Sequence, residues 1–166
     1  MRFLAILACL ALAACKPATP VVEAASGGLP FASVHELRLD GKVLLAQLAV
    51  TETERTQGFT GVSPQEDRGM LFVYPLPARG RFWMKDTPSD LDIAFLDREG
   101  RILQISQMRA LDTEATVSES DKVKFALEMR RGWFAEAGIR PGAKLDLYSV
   151  VNALRARGFN PTRLGI

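Results

Sequence analysis

Short apolar runs separated by turn-forming residues are the feature that most constrains the fold of this chain. From residue 33 onwards each run is about six to eight residues long, which is typical of strands, because helices usually need longer periodic segments. The pattern predicts about seven or eight strands with two or three short helices. We therefore expect an α+β, β-rich single domain, with an antiparallel or mixed sheet that curls towards a barrel.

Several local signals place the first elements. Asp40-Gly41 lies between two apolar runs and predicts a β-hairpin. Thr51 and Glu54 have the spacing of a capping box, which predicts a short helix over 52–58 that ends at Gly58. The run 69–74 should be a strand that stops at the prolines which follow it.

The later part of the chain continues the same pattern. Strands are predicted over 80–85, 91–96 and 101–108, and strict alternation over 122–129 indicates a half-buried strand. A short helix should cover 131–137. The run 144–150 is predicted as the last strand, followed by a helix over 152–157 and a loose tail.

The N-terminus has the features of a bacterial lipoprotein signal. Arg2 precedes a short apolar run, Phe3 to Ala13, and the run ends in Leu-Ala-Ala-Cys15. Such a segment is too short to span a bilayer and is typical of a secretory signal. We expect residues 1–14 to be removed and Cys15 to carry the lipid that anchors the protein to a membrane. An ordinary signal peptide with an incidental cysteine is the alternative.

The remaining chain divides into three parts. Residues 15–32 contain the lipidated cysteine and a tether rich in Pro, Ala, Ser and Gly, residues 33–151 form the domain, and residues 152–166 form a C-terminal helix and tail. Lys16 follows the cysteine, which resembles the default signal for the outer membrane. The protein is therefore expected to face the periplasm, lipid-anchored, at the outer membrane.

Charge and composition argue against several classes of partner. The formal net charge is +2, and loss of Arg2 leaves the domain near neutral, whereas nucleic-acid binding needs a clustered basic face. We expect no nucleic-acid partner. His35 is the only histidine, and Cys9 leaves with the signal while Cys15 is lipidated. A zinc site needs three or four such ligands, so no metal and no cofactor are expected.

A set of motifs resembles domain-of-unknown-function family 192. The segments are Arg55-x-x-Gly58, Asp67-x-Gly69-Met70-Leu71-Phe72, Phe82-Trp83-Met84-Lys85-Asp86-Thr87, Leu91-Asp92-Ile93-Ala94-Phe95 and Ala126-Leu127-Glu128 followed by Gly132 and Gly138-Ile139-x-x-Gly142. Their order and spacing match over about residues 43–150. The resemblance implies a compact β-rich fold and no defined reaction. The family usually has Asn where this chain has Asp86, so this chain has no side-chain amide to donate a hydrogen bond at that position.

The segment from Phe82 to Asp92 holds the main candidate site. Trp83 and Lys85 share strand parity, so one face would carry an indole beside an ammonium group. An exposed indole could stack on a sugar ring or a peptide while the lysine meets a carboxylate. The alternative is that Trp83 packs in the core and Lys85 forms a structural ion pair with Asp86, Asp90 or Asp92.

Two acidic residues lie in otherwise apolar strands. Asp92 and Glu128 must be paired or hydrogen-bonded if they are buried, and near Lys85 they could shift each other's pKa and act as acid and base. The alternative is a structural hydrogen-bond network or, for Glu128, a solvated face.

Two functions remain open at this point. The favoured one is a non-enzymatic binding or accessory module whose groove contains Trp83, Lys85, Asp86, Asp92 and Glu128 and takes a peptide, a glycan or an envelope protein. The other is a hydrolase or lyase that acts on cell-envelope material through the two carboxylates. It requires the carboxyl groups to converge within about 10 Å in an open cleft.

Overall fold

The computed structural model describes residues 27–166, so the predicted signal segment 1–14, the lipidated Cys15 and most of the tether lie outside the described residues. Eight strands, three α-helices and one 3-10 helix are present in the described part. They are β1 (His35–Leu39), β2 (Lys42–Ala49), α1 (Glu52–Gln57), β3 (Arg68–Ala78), β4 (Arg81–Phe82), β5 (Leu91–Leu96), β6 (Ile102–Met108), β7 (Thr116–Val117), β8 (Val123–Arg130), α2 (Trp133–Glu136), α3 (Leu147–Ala156) and the 3-10 helix Pro161–Leu164. The predicted α+β, β-rich single domain is confirmed.

Six of the strands form one mixed sheet in the order β1-β2-β3-β8-β5-β6. The pair β2–β3 is parallel, and the connection between them contains α1, whereas the other neighbours are antiparallel. The short strands β4 and β7 form a separate antiparallel ribbon. Strand β8 therefore occupies the middle of the main sheet, with β3 on one side and β5 on the other.

Residues 143–146 connect the two edges of the open sheet. The amide of Asp40, just after β1, donates to the carbonyl of Lys144 at 2.9 Å, and the amide of Asp146 donates to the carbonyl of Arg38 at 2.8 Å. On the other edge, the amide of Ile102 at the start of β6 donates to the carbonyl of Ala143 at 2.9 Å. The sheet is not closed, but its edge strands are drawn together here, which gives the predicted partial curl.

Both faces of the sheet are covered. One apolar cluster contains Leu127 and Met129 of β8 together with residues of α2, α3 and the 3-10 helix. The other contains Ala126 of β8, Phe72 of β3 and Phe82 of the ribbon, whose ring packs edge-on against Phe72 with centroids 5.0 Å apart. The prediction of a half-buried β8 is wrong, because helices cover one of its faces and the ribbon covers the other.

The first local predictions are confirmed. β1 and β2 pair as a hairpin across Asp40-Gly41, and both turn residues have positive φ. Thr51 accepts from the amide of Glu54, and the Glu54 carboxylate accepts in return from the amide of Thr51, which completes the capping box of α1. Gly58 ends this helix with φ of 47°.

Two strand predictions are wrong. β3 continues through Pro75 and Pro77 to Ala78, because its register with β8 shifts between Val73 and Ala78 and the prolines lie in that irregular stretch. The run 144–150 is not a strand. It makes only isolated bridges, and α3 begins at Leu147 because the Asp146 side chain caps the amide of Tyr148.

The two ends of the domain also differ from expectation. The C-terminal segment is not loose, since Phe159 and Leu164 are buried in the core. At the N-terminal end, the amide of Leu29 donates to the carbonyl of Ala156 at 2.9 Å, so residues predicted as tether already contact the domain. Within residues 27–166, none of the helices has the length and apolar character needed to cross a bilayer.

Candidate functional site

A cleft of about 270 Å³ opens between α1 and the segment that follows the ribbon strand β4. Its lining combines cationic, aromatic and hydroxyl-bearing side chains with one buried acid. The side chains with chemistry to offer are Arg55, Tyr74, Arg81, Trp83, Lys85 and Glu128. Three of the sequence-predicted site residues, Trp83, Lys85 and Glu128, are thus brought together here.

Burial alternates along the segment that carries Trp83. Phe82 and Met84 are buried, whereas the indole of Trp83 is 62% exposed and Lys85 is also exposed. The predicted parity is therefore confirmed, although regular pairing is limited to the two residues of β4. The alternative in which Trp83 packs in the core is wrong, because the inward positions are already filled by its two neighbours.

Lys85 makes no ion pair within residues 27–166. Asp90 and Asp92 face Arg131 instead, at 3.7 and 3.3 Å from its guanidinium nitrogens. The predicted structural ion pair of Lys85 with a nearby aspartate is therefore wrong. Its ammonium group remains available at the mouth of the cleft.

Asp86 has a backbone role. Its φ is 61°, a left-handed conformation that Asn and Asp adopt more readily than most residues. Its carbonyl accepts from the amide of Gly61 at 2.8 Å, which connects the loop after α1 to the end of the Trp83 segment. The side chain does not line the cleft. The left-handed backbone conformation explains why Asp or Asn is favoured at this position, and it does not require the side chain to donate a hydrogen bond.

Glu128 lies on the floor of the cleft. It is opposite Met70 of β3 and Ile93 of β5, and only 5% of it is exposed. No hydrogen bond to its carboxyl group is present among residues 27–166. Burial disfavours the charged form and raises the pKa of Glu128 to about 8. The expectation of a solvated face is wrong, and burial favours the neutral, protonated form of this acid.

Asp92 serves a different part of the molecule. It is 4% exposed, and its Oδ2 accepts from the amide of Gly132 at 2.8 Å. Gly132 has φ of 85° and precedes α2, so the carboxylate fixes the turn that leads from β8 into that helix. The structural network proposed for Asp92 as an alternative matches these contacts.

The proposed pairing of Asp92 with Glu128 is wrong. In the β5–β8 ladder, Asp92 is opposite Met129 and Ile93 is opposite Glu128. Directly opposed residues share a face and successive residues alternate, so the two carboxylates point to opposite faces of the sheet. They do not converge in one cleft, and acid–base chemistry that uses both has no geometric basis.

Three cleft residues were not singled out as site residues by sequence reasoning. Arg55 donates from Nη1 to the carbonyls of Val50 and Val73, the latter at 3.3 Å, and its Cζ lies 5.2 Å from the centroid of the Tyr74 ring. Burial raises the pKa of Tyr74 to about 12, so the phenol keeps its proton. Arg81 is exposed at the rim. The available signal was weak: Tyr74 shares strand parity with Met70 and Phe72, and Arg55 precedes the Gly58 turn.

Metal-ligating side chains are not clustered in the described part of the chain. No group of three or more His, Cys, Asp or Glu residues within 27–166 is arranged to hold an ion. The side chains that line the cleft offer hydrogen bonding, charge and aromatic contact.

Comparison with known proteins gives one family and two similar structures. The model of the family DUF192, described as uncharacterised ACR, matches residues 35–147. A Sinorhizobium meliloti 1021 protein described as a candidate transcription regulator is 28% identical, with a TM-score of 0.65 over 72% of this chain and 97% of that chain. A protein of unknown function from Novosphingobium aromaticivorans DSM 12444 is 26% identical, with a TM-score of 0.64 over 78% of this chain and 94% of that chain.

No curated protein matches the chain significantly. The family match covers more than half of the sequence and includes both strands that flank β8 and β8 itself. The chain belongs to the uncharacterised family DUF192.

Proposed function

We propose that this protein is a non-enzymatic binding or accessory module of the bacterial envelope, and that its ligand occupies the cleft beside Trp83. The ligand is a peptide, a glycan or an envelope protein. Asp92 is no part of this site, because it lies on the other face of the sheet.

The exposed indole of Trp83 is the observation that carries the proposal. An aromatic side chain of that size that is 62% exposed contributes little to the core, and here it stands beside a lysine without an ion pair in residues 27–166. Tryptophan is enriched at binding hot spots, where its rigid ring contributes contact area at small entropic cost. A ligand that covers Trp83 would also reach Lys85 and Arg81.

Envelope location is the second half of the proposal. The signal and lipobox pattern ending at Cys15 supports export and lipidation. Two or more acyl chains give stable anchoring, whereas a single chain gives only marginal binding. Mass spectrometry of the cell-made protein should find acylated Cys15 as the first residue, and a bare cysteine or an uncut leader would contradict this location.

The binding test compares two exposed aromatic residues. Trp83→Ala should weaken binding to defined peptides, oligosaccharides or a purified envelope protein by about tenfold or more, because it removes a hot-spot contact. Tyr148→Ala is the matched control, since Tyr148 is 73% exposed on α3 and does not line the cleft. The measurement is an NMR titration with these probes. Shift changes confined to other surfaces, or equal losses in both variants, would contradict the proposal.

A further inference from the structure

The charges that line the cleft do not cancel. Arg55, Arg81 and Lys85 are cationic, and none of them forms an ion pair within residues 27–166. Glu52 is the one acid in the lining besides Glu128. Three cationic side chains against two acidic ones give the cleft a net positive charge even with both acids ionised. Burial favours the neutral form of Glu128, which adds to this excess. Unpaired positive charge in a concave site favours an anionic ligand.

Arg55 is held in one orientation before any ligand arrives. Its Nη1 is engaged by the two backbone carbonyls of Val50 and Val73, and its guanidinium lies over the Tyr74 ring. Its Nε and Nη2 donate no hydrogen bond to the described residues. A planar guanidinium matches the geometry of a carboxylate, and a fixed side chain loses less entropy when it binds one.

The buried acid complements this arrangement. A protonated carboxyl group can donate a hydrogen bond to a ligand oxygen, whereas an ionised one would repel a second carboxylate. Tyr74 adds a second hydroxyl donor close by, because its phenol remains protonated. In their protonated forms, which burial favours, Glu128 and Tyr74 both present hydrogen-bond donors to the cleft.

The polar side chains and the indole of the cleft suit a sugar. Thr56, Gln57, Thr60 and Thr87 line the cleft and offer hydroxyl and amide groups that can pair with sugar hydroxyls. The exposed face of Trp83 provides a flat apolar surface against which the ring of a sugar can stack.

We propose that the cleft binds an acidic sugar, with the sugar's carboxylate received by Arg55 and Glu128 and its ring stacked on Trp83. This rests on the proposed function, since it names the ligand class of the same cleft. Lys85 and Arg81 contribute attraction at the rim. Glu52, Arg55, Arg81, Lys85 and Tyr74 are the titratable groups that line the cleft around Glu128.

The experiment titrates the full chain with three probes and follows amide shifts. The probes are a disaccharide that contains a hexuronate, a neutral disaccharide of the same size and a short peptide with a free C-terminal carboxylate. The hexuronate should bind about tenfold more tightly than the neutral sugar near pH 6, because charge-assisted hydrogen bonds are about twice as strong as neutral ones. Lys85→Gln should weaken hexuronate binding about threefold, and exposed Lys122→Gln, outside the cleft, should leave it unchanged.

The pH dependence isolates Glu128. Hexuronate affinity should fall about tenfold between about pH 6 and pH 9 as the acid ionises, and Glu128→Gln should abolish that fall while the protein remains folded. A purely structural role for Glu128 would not alter the pH profile of binding.

Three outcomes would overturn the inference in distinguishable ways. Equal affinity for the hexuronate and the neutral disaccharide would contradict an anionic ligand but not the proposed binding function. Tighter binding of the peptide would replace the sugar by a peptide carboxylate. Absence of any shift at the cleft with all three probes would contradict the acidic sugar, whereas only a failure of the separate Trp83→Ala comparison would contradict the binding module itself.

Discussion

At the residue scale, Arg157 joins three segments that are far apart in the sequence. Its Nε donates to the carbonyl of Leu29 at 2.9 Å, its Nη1 to the carbonyl of Leu48 at 2.6 Å, and its Nη2 to the carboxylate of Glu54. Only 3% of Arg157 is exposed. Glu54 is also the capping-box residue of α1, so one buried ion pair fixes the N-terminal segment, the sheet and the first helix.

Removal of this guanidinium should be severe. Arg157→Met should lower the free energy of unfolding by about 3–5 kcal/mol, because it leaves the Glu54 carboxylate without its cationic partner and the buried carbonyl of Leu48 without its donor. Urea denaturation of the variant measures this. Arg155→Met, an exposed arginine of the same helix, is the control and should change stability by less than about 0.5 kcal/mol. Similar losses in both variants would contradict the structural role of the ion pair.

Trp83 shows what the sequence can and cannot predict about a single residue. Alternation placed Trp83 and Lys85 on one side and Phe82 and Met84 on the other, and the structure confirms this parity. Parity does not say which side faces the protein. That depends on whether the ribbon packs on the sheet through Phe82, which is a tertiary contact and has no local signal. Arg55 could not be predicted as a site residue for the same reason, because its place in the cleft depends on how α1 packs on the sheet.

At the element scale, strand β8 carries two ionisable side chains inside the protein. Lys124 is 2% exposed, and its Nζ donates to the carbonyl of Pro75 at 2.9 Å and to that of Leu164. Burial lowers the pKa of Lys124 to about 8. Burial raises the pKa of Glu128 to about 8 as well. The carboxyl group of Glu128 and the ammonium group of Lys124, which lie on one strand, therefore lose their protons in the same pH range.

These two shifts have opposite effects on stability. Between about pH 4.5 and 8 the folded protein binds more protons at Glu128 than the unfolded chain does, so this group's contribution to stability falls as pH rises. Between about pH 8 and 10.5 the unfolded chain binds more protons at Lys124, so stability rises with pH. The combined contribution of β8 to stability should have its minimum near pH 8.

Denaturation curves of two variants test this. The difference in stability between Glu128→Gln and the wild type should shift in favour of the variant between pH 5 and pH 8, because the variant lacks the acid that titrates. The stability of Lys124→Met should not rise above pH 8. Curves for both variants that run parallel to the wild type across pH 5–10 would show that neither group titrates in the folded protein as its burial requires.

α3 shows why the last strand was mispredicted. The run from Leu147 to Val151 is apolar and contains β-branched residues, which favours a strand reading. The competing signal was the spacing of Val150, Ala153 and Leu154, which are the buried residues of the helix and follow a helical period. Asp146 at the cap decides the conformation.

At the scale of the whole molecule, the core extends beyond the family match. That match ends at residue 147, yet Leu154, Phe159 and Leu164 belong to the apolar cluster under β8. The sequence predicted the strand count, the hairpin and the first helix because those depend on local chemistry. It could not predict that residues after 152 complete the core. That depends on the tertiary packing of the C-terminal segment against the sheet, after residues 143–146 have bonded to both of its edges.

The C-terminal segment should be essential for folding. Leu154→Ala should cost about 2–5 kcal/mol, whereas Tyr148→Ala on the exposed face of α3 should change stability by less than about 0.5 kcal/mol. A chain that ends at residue 147 should lose its cooperative thermal transition and bind a hydrophobic dye. A sharp transition in that shortened chain would show that the C-terminal residues are dispensable.

The place of β8 between β3 and β5 has a consequence for biosynthesis. The polypeptide emerges N-terminus first, so the two halves of the sheet exist before the strand that joins them. Until the chain up to about residue 130 is free to fold, at the ribosome or after export, each half presents an unpaired strand edge, which is the kind of surface that recruits chaperones or associates with other unfolded chains. The last strand of the main sheet to be synthesised is thus the one that must pair before the two halves can form a single sheet.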